Sequence, residues 1–100
     1  MPPDVSGYRL SPLAESDLED IWLYTLEQWS RTQADSYISD IIAAIDKLSS
    51  GERKGRVCDI RDGYLKYAVG RHIIFFRQLN TDLDVMRILH QSMDIERHLK

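Results

Sequence analysis

GYLKYAVGRHIIFFRQLNTDLDVMRILHQSMDIERHL, residues 63–99, decides how this chain folds. It reads as three short strands joined by tight turns and followed by a tail. Residues 64–69 predict the first strand. Gly70-Arg71 then makes a two-residue hairpin turn with glycine first, as a primed turn requires. Residues 72–77 return as a strand that is apolar on both faces, which places it at the centre of a sheet. Asn80-Thr81-Asp82 makes the second turn, and residues 83–89 form the last strand. Residues 93–99 read as a short terminal helix or ordered tail. Arg77 and Arg87 interrupt otherwise apolar strands. A charge there is costly unless it is paired or lines a working surface, so this strand face and the tail are where function is sought.

Working towards the N-terminus, residues 51–62 (GERKGRVCDIRD) are polar and rich in Arg, Lys and Gly. They predict a loop with a brief extended piece at 57–60. Before it stand two amphipathic segments. Ser11-Pro12 opens the first, with serine as N-cap and proline where its missing N–H is not needed. Glu15, Asp17, Glu19 and Asp20 follow where the helix dipole favours acids. Leu18, Ile21, Trp22, Thr25, Leu26 and Trp29 recur at three- and four-residue steps and form one buried face. Ser30-Arg31-Thr32-Gln33 is a capping box for the second helix. Tyr37, Ile38, Ile41, Ile42, Ile45 and Leu48 form its apolar stripe, and Ser50-Gly51 ends it. Two such helices with almost no linker pack as an antiparallel hairpin. Tyr8-Arg9-Leu10 is a first, short strand. The order is β-α-α-β-β-β: an α+β chain with a helical hairpin on a small, mainly antiparallel sheet.

One hundred residues support a single domain, 1–100. Net charge is −3, so the chain as a whole does not attract nucleic acid. The charge is unevenly placed. Residues 12–46 carry Glu15, Asp17, Glu19, Asp20, Glu27, Asp35, Asp40 and Asp46 against Arg31. Residues 47–77 carry Lys47, Arg53, Lys54, Arg56, Arg61, Lys66, Arg71 and Arg77 against Glu52, Asp59 and Asp62. A basic half points to a polar partner on that side. Cys58 is alone, which excludes an internal disulfide and fits a reducing, cytoplasmic setting. The opening MPPDVSGYRL lacks the basic start and apolar core of a secretory signal, and no apolar run approaches membrane-spanning length. His72, His90 and His98 lack metal-ligand spacing, so neither a metal nor another cofactor is expected.

Three blocks, YRLSPLAESDLEDIWLYTLEQW, GYLKYAVGRHIIFFR and DVMRILHQSMDIERHL, in this order and spacing, resemble the ParE toxins of the RelE/ParE superfamily. The resemblance runs from Tyr8 to Leu99. It implies a toxin of a type II toxin–antitoxin system that inhibits DNA gyrase and blocks replication by binding rather than by chemistry of its own. It also implies neutralisation by a ParD-like antitoxin, in a heterotetramer or larger assembly. Operator DNA would then be met only indirectly, through the antitoxin. The RelE-like cousins are ribosome-dependent mRNA endoribonucleases with the same fold. On that alternative reading Arg77 and Arg87 would stabilise phosphate charge and His90 would transfer the proton. The chain lacks the cousins' lysine-rich strand, and no Tyr follows Arg87, which favours gyrase inhibition.

Trp22, Trp29, Tyr67, Arg77 and Arg87 are the candidates for antitoxin binding. The two tryptophans, seven residues apart, share one helix face and read as core; on the alternative reading one edge is exposed for a partner. Tyr64 and Tyr67 lie on opposite strand faces, so one is free when the other is core. The arginines pair either with carboxylates such as Asp84 or Asp59, or with acidic groups of the antitoxin. Met93, Asp94, Ile95, Arg97, His98 and Leu99 are the gyrase-contact candidates. Ile95 and Leu99, four apart, alternatively clamp a last helical turn to the sheet.

Overall fold

The computed structural model describes residues 7–79 and 82–99. Its elements are β1 (Gly7–Leu10), α1 (Pro12–Gln28), α2 (Arg31–Ser50), β2 (Arg56–Val57), β3 (Leu65–Val69), β4 (His72–Leu79), β5 (Asp82–His90) and α3 (Ile95–Leu99). The turn expected at Asn80-Thr81-Asp82 falls on residues 80 and 81, outside the described residues.

Local chemistry sets the helix boundaries. Ser11 Oγ accepts from Ala14 N–H at 3.0 Å, and Pro12 begins α1. Ser30 Oγ accepts from Gln33 N–H at 3.1 Å, and Gly51, at φ +84°, closes α2. Trp22 and Asp35, on either side of the turn between the helices, meet through an indole N–H to carboxylate bond of 2.9 Å. That contact fixes the two helices as an antiparallel hairpin.

The sheet order is β1-β5-β4-β3-β2, with β1 parallel to β5 and the remaining pairs antiparallel. β4 lies at the centre, and alternation along it builds two cores. Ile74 and Phe76 face the helices with Ile41, Ile45, Leu83, Val85 and Ile88. Phe75 faces the other way, with Cys58, Tyr64, Leu89 and Leu99. Each such aromatic or aliphatic side chain contributes roughly 1.5–3 kcal/mol by leaving water. The fold is α+β, as the patterning indicates. It adds a two-residue strand, β2, where the sequence predicts an extended piece one residue later in the loop.

One irregularity matters for the site. Phe75 pairs with Arg87, but Phe76 pairs with Val85, so Met86 is an extra residue in β5. A bulge bends the strand and re-aims its side chains. Met86 packs in the far-face core beside Leu89, and Arg87 swings to the sheet margin, where α1 crosses β5.

Candidate functional site

Two polar constructions and one aromatic cleft stand out. The first is a clasp on Asp17. Its carboxylate receives Arg87 Nε–H at 2.8 Å and a second guanidinium N–H at 2.9 Å, in bidentate geometry. It also accepts Ile88 N–H at 2.9 Å, satisfying a backbone donor of β5 beyond the reach of β1. Both side chains are largely withdrawn from water, 17% and 12% accessible for Arg87 and Asp17. The hydrogen bond to Asp17 holds the Arg87 pKa above its ordinary value, against the opposing pull of burial. A further guanidinium N–H reaches His98 O at 3.4 Å, tying the C-terminal helix to the same clasp. The carboxylate partner of Arg87 is Asp17, in place of Asp84 or Asp59, because β1 ends opposite Val85 and leaves that edge of β5 open to α1.

The second construction straps α3 to the far face of the sheet. Arg61 lies 4.9 Å over the Tyr64 ring and donates to Leu99 O at 2.8 Å. Leu99 is only 2% exposed. Of the gyrase-contact candidates, Leu99 is therefore core and Ile95 packs beside it. Met93, Asp94, Arg97 and His98 are exposed. Asp94 accepts Arg97 N–H at 3.3 Å and helps start the helix.

The cleft, about 270 Å³, opens where the helical hairpin's turn overhangs the β3–β4 turn. Tyr24, Trp29, Tyr37, Arg71, His72 and His90 are among its walls. Trp29 was expected on the buried face of α1, yet it is 75% exposed. The helix ends at Gln28, and Trp29 takes φ −130° and ψ −99° as the chain turns into α2. The seven-residue repeat with Trp22 is thus broken before it closes, and the indole stands at the cleft mouth. Trp22 itself is half-buried.

Tyr37 is the hub of the cleft floor. Its hydroxyl lies 2.7 Å from His72 Nδ1, 3.2 Å from Val69 O, and accepts Arg71 N–H at 3.2 Å. Burial pushes its pKa up. Gly70, at φ +57°, leaves room for that hydroxyl: a Cβ there would lie 2.7 Å from it. His72 and His90, cross-strand partners, meet edge to face at 5.0 Å. Ser92 N–H donates to His90 Nδ1 at 3.0 Å, which makes that nitrogen an acceptor.

Burial lowers the His72 pKa from 6.5 to about 4, with help from the neighbouring His90 and against the attraction of Asp17. The folded chain thus binds fewer protons than the unfolded chain between these values. The stability due to neutral His72 is complete above the unfolded pKa and is lost as pH falls towards 4. The His72 ring resonances in an NMR titration are expected to show a midpoint near 4; a midpoint near 6.5 would contradict the burial of this imidazole.

The structure does not gather Arg77, Arg87 and His90. Arg77 lies on the sheet face away from the helices, because its neighbour Phe76 is in the helix-side core. Along β4 it is five residues from the row holding His72 and His90, about 16 Å at strand rise. Arg77 faces Asp84 in register, but Asp84 binds Arg9 at 3.0 Å. Tyr67 packs partly buried on the helix side, while Tyr64 is buried on the far face, so the opposed placement expected of them holds. Among the described residues no group of three His, Cys, Asp or Glu side chains is placed to hold a metal ion. No helix among them is long and apolar enough to cross a membrane.

Sequence reasoning passed over Asp17 except as a dipole-friendly acid. A signal was present: Asp17 sits three residues after Ala14 and four before Ile21, both buried, so it is a charge on an apolar stripe. His72 and Tyr37 gave no comparable signal, since their meeting depends on how α2 crosses the sheet.

A family model described as "ParE toxin of type II toxin-antitoxin system, parDE" matches residues 8–95. The chain is 44% identical over 96 residues to Toxin ParE1 of Mycobacterium tuberculosis, covering 94% of this chain and 98% of that protein. It is 37% identical over 93 residues to Toxin ParE1 of Caulobacter vibrioides, covering 92% and 96%. A solved structure described as "Chromosomal ParDE TA system from P. aeruginosa" superposes with a TM-score of 0.74, covering 85% of this chain and 94% of that one. At 18% identity that likeness speaks for the fold.

Proposed function

The chain belongs to the ParE toxins of type II toxin–antitoxin systems, and on that premise we propose that it inhibits DNA gyrase and is neutralised by a ParD-like antitoxin docked over the cleft at the helical turn. The observation that carries the docking is the exposed aromatic pair, Tyr24 and Trp29, at the mouth of an open cleft floored by Tyr37, His72 and His90. Large exposed apolar groups around a pocket are the usual marks of a protein-binding hot spot. Leu13 and Leu23, also exposed, lie with Tyr24 within an arc of about 100° along α1. An amphipathic antitoxin helix laid on this ridge would set one apolar anchor in the cleft. The sheet offers a second contact. β2 spans two residues, so Tyr67–Val69 of β3 have no strand neighbour on that side among the described residues, and an extended antitoxin segment can add there.

Inhibition by binding fits the separation of Arg77, Arg87 and His90, since a proton-transfer mechanism needs them convergent. The proposed gyrase contact is the exposed side of the C-terminal segment: Met93, Asp94, Arg97 and His98. The test is supercoiling by purified gyrase with and without the folded chain, scoring linear cleavage product. Inhibition with accumulated cleavage complex is expected. No inhibition by a folded preparation, together with ribosome-dependent mRNA cleavage, would transfer the function to a nuclease. For the antitoxin, Trp29→Ala is expected to weaken binding by about 2 kcal/mol, roughly 30-fold in Kd. Unchanged affinity would move the interface elsewhere.

A further inference from the structure

Four strands present cations on the sheet face opposite the helices. The alternation is unambiguous at each. Tyr8 and Leu10, Leu65 and Tyr67, and Phe76 all belong to the helix-side core. Arg9, Lys66 and Arg77, the residues beside them, therefore point away from it. Arg56 is directly opposite Lys66 in the β2–β3 ladder and shares its face. The upper part of this face is covered by α3 and the far-face core. Arg9 and Arg77 flank Asp84 in one row, Lys66 and Arg56 stand two residues further along in the row of Phe75, and the carboxylates of this face are Asp84, which is engaged by Arg9, and Asp82.

Arg56, Lys66 and Arg77 make no ion pair with a described residue. Like charges directly opposite in a ladder are destabilising, so the Arg56–Lys66 pair costs stability in the free chain without a counter-charge to relieve it. A chain of net charge −3 thus concentrates positive charge on one strip. The strip crosses four strand spacings, about 19 Å. One strand of duplex DNA offers a phosphate every ~3.4 Å along its axis, roughly five or six over that distance.

We propose that this strip binds the sugar–phosphate backbone of duplex DNA, independently of base sequence. A protein partner would need a cluster of apolar anchors, whereas Phe75 and Leu89 of this face are buried with Leu99 of α3, and Leu79, 39% exposed, stands apart from them at the end of β4. Single-stranded nucleic acid would need exposed rings for stacking, and the exposed aromatics Tyr24 and Trp29 line the cleft at the helical turn instead. Guanidinium groups suit phosphate oxygens, and sequence-independent affinity arises from charge alone. The contact is distinct from operator recognition by an antitoxin.

The test is fluorescence anisotropy of a labelled 20-base-pair duplex with the full chain and no gyrase, so its result does not depend on the gyrase reading. Three or four phosphate contacts predict that affinity falls about 40- to 150-fold between 50 and 200 mM salt. The variant Arg56→Gln/Lys66→Gln/Arg77→Gln, in which Arg56 is exposed and Lys66 and Arg77 are half-buried and whose folding is checked by circular dichroism, is expected to bind weakly and to change only about 4-fold over the same range. No binding by the parent chain at 50 mM salt overturns the proposal, as does equal binding by the folded triple variant. Preference for an RNA duplex, or for polyglutamate over DNA, overturns it in favour of that class of partner.

Discussion

Asp17→Asn is expected to destabilise the chain by about 3–5 kcal/mol, the usual cost of breaking a largely buried ion pair by removing one partner. Asparagine keeps an acceptor for Ile88 N–H but withdraws the charge that Arg87 was folded against. Arg87 is then left in place without a counter-charge, its remaining contact being the long bond to His98 O. Urea unfolding reads this as a lower midpoint at unchanged slope. Arg87→Met placed on the Asp17→Asn background should restore part of the loss, since an apolar side chain in that position no longer carries an unpaired charge. A midpoint for Asp17→Asn within error of the parent would show that the clasp contributes no stability. The pair also bears on function. Arg87 was a candidate for antitoxin or phosphate contact, and its guanidinium is occupied within the chain, so its role is proposed to be positioning: it holds α1, β5 and the last helix in one geometry.

Removing residues 93–100 should cost about as much, for a reason unrelated to gyrase. The truncation takes away Leu99 and Ile95, which cover Phe75, Tyr64 and Leu89, and it strands the Arg61 guanidinium that donates to Leu99 O. Loss of a buried leucine alone is worth about 2–5 kcal/mol, and the second apolar residue and the lost hydrogen bond add to that. The truncated chain is expected to melt well below the parent and to expose the far-face core to a hydrophobic dye. A tail deletion that abolishes killing therefore reports folding as much as target contact. Met93→Ser/Arg97→Gln/His98→Gln changes exposed side chains and leaves Ile95, Leu99 and the Asp94 Oδ1 bond in place, removing only the exposed contact of His98 Nδ1 with Asp94 O. It should unfold like the parent, so its effect on gyrase inhibition isolates the proposed contact. Parental stability of the truncated chain would refute the core role assigned to Leu99.

Much of the architecture was legible because its causes are local. Ser11-Pro12 and Ser30 mark helix starts through their own backbone bonds, and Gly70-Arg71 marks the hairpin through a positive φ at one residue. The continuous apolar run of β4 announced a central strand, since a strand buried on both faces has no polar alternation to show. Trp29 was misread because helical periodicity presumes that the helix continues, and the chain leaves it at Gln28. Pairing of Arg87 with a carboxylate was legible, but the choice of Asp17 was not, because it depends on where β1 stops beside β5.

The sequence by itself determined the element types, their order, the two amphipathic stripes and the membership of nearly the whole chain in one toxin family. The first three depend on periods of two and 3.6 and on capping chemistry within a few residues, and the last on the resemblance of three blocks of sequence. Only the tertiary structure decided that Asp17 clasps Arg87 across 70 positions of chain, that Leu99 is core, and that Arg9, Arg77, Lys66 and Arg56 share one face of the sheet. Those outcomes rest on strand order, register and one bulge, which bring together residues far apart in sequence and which no local pattern encodes.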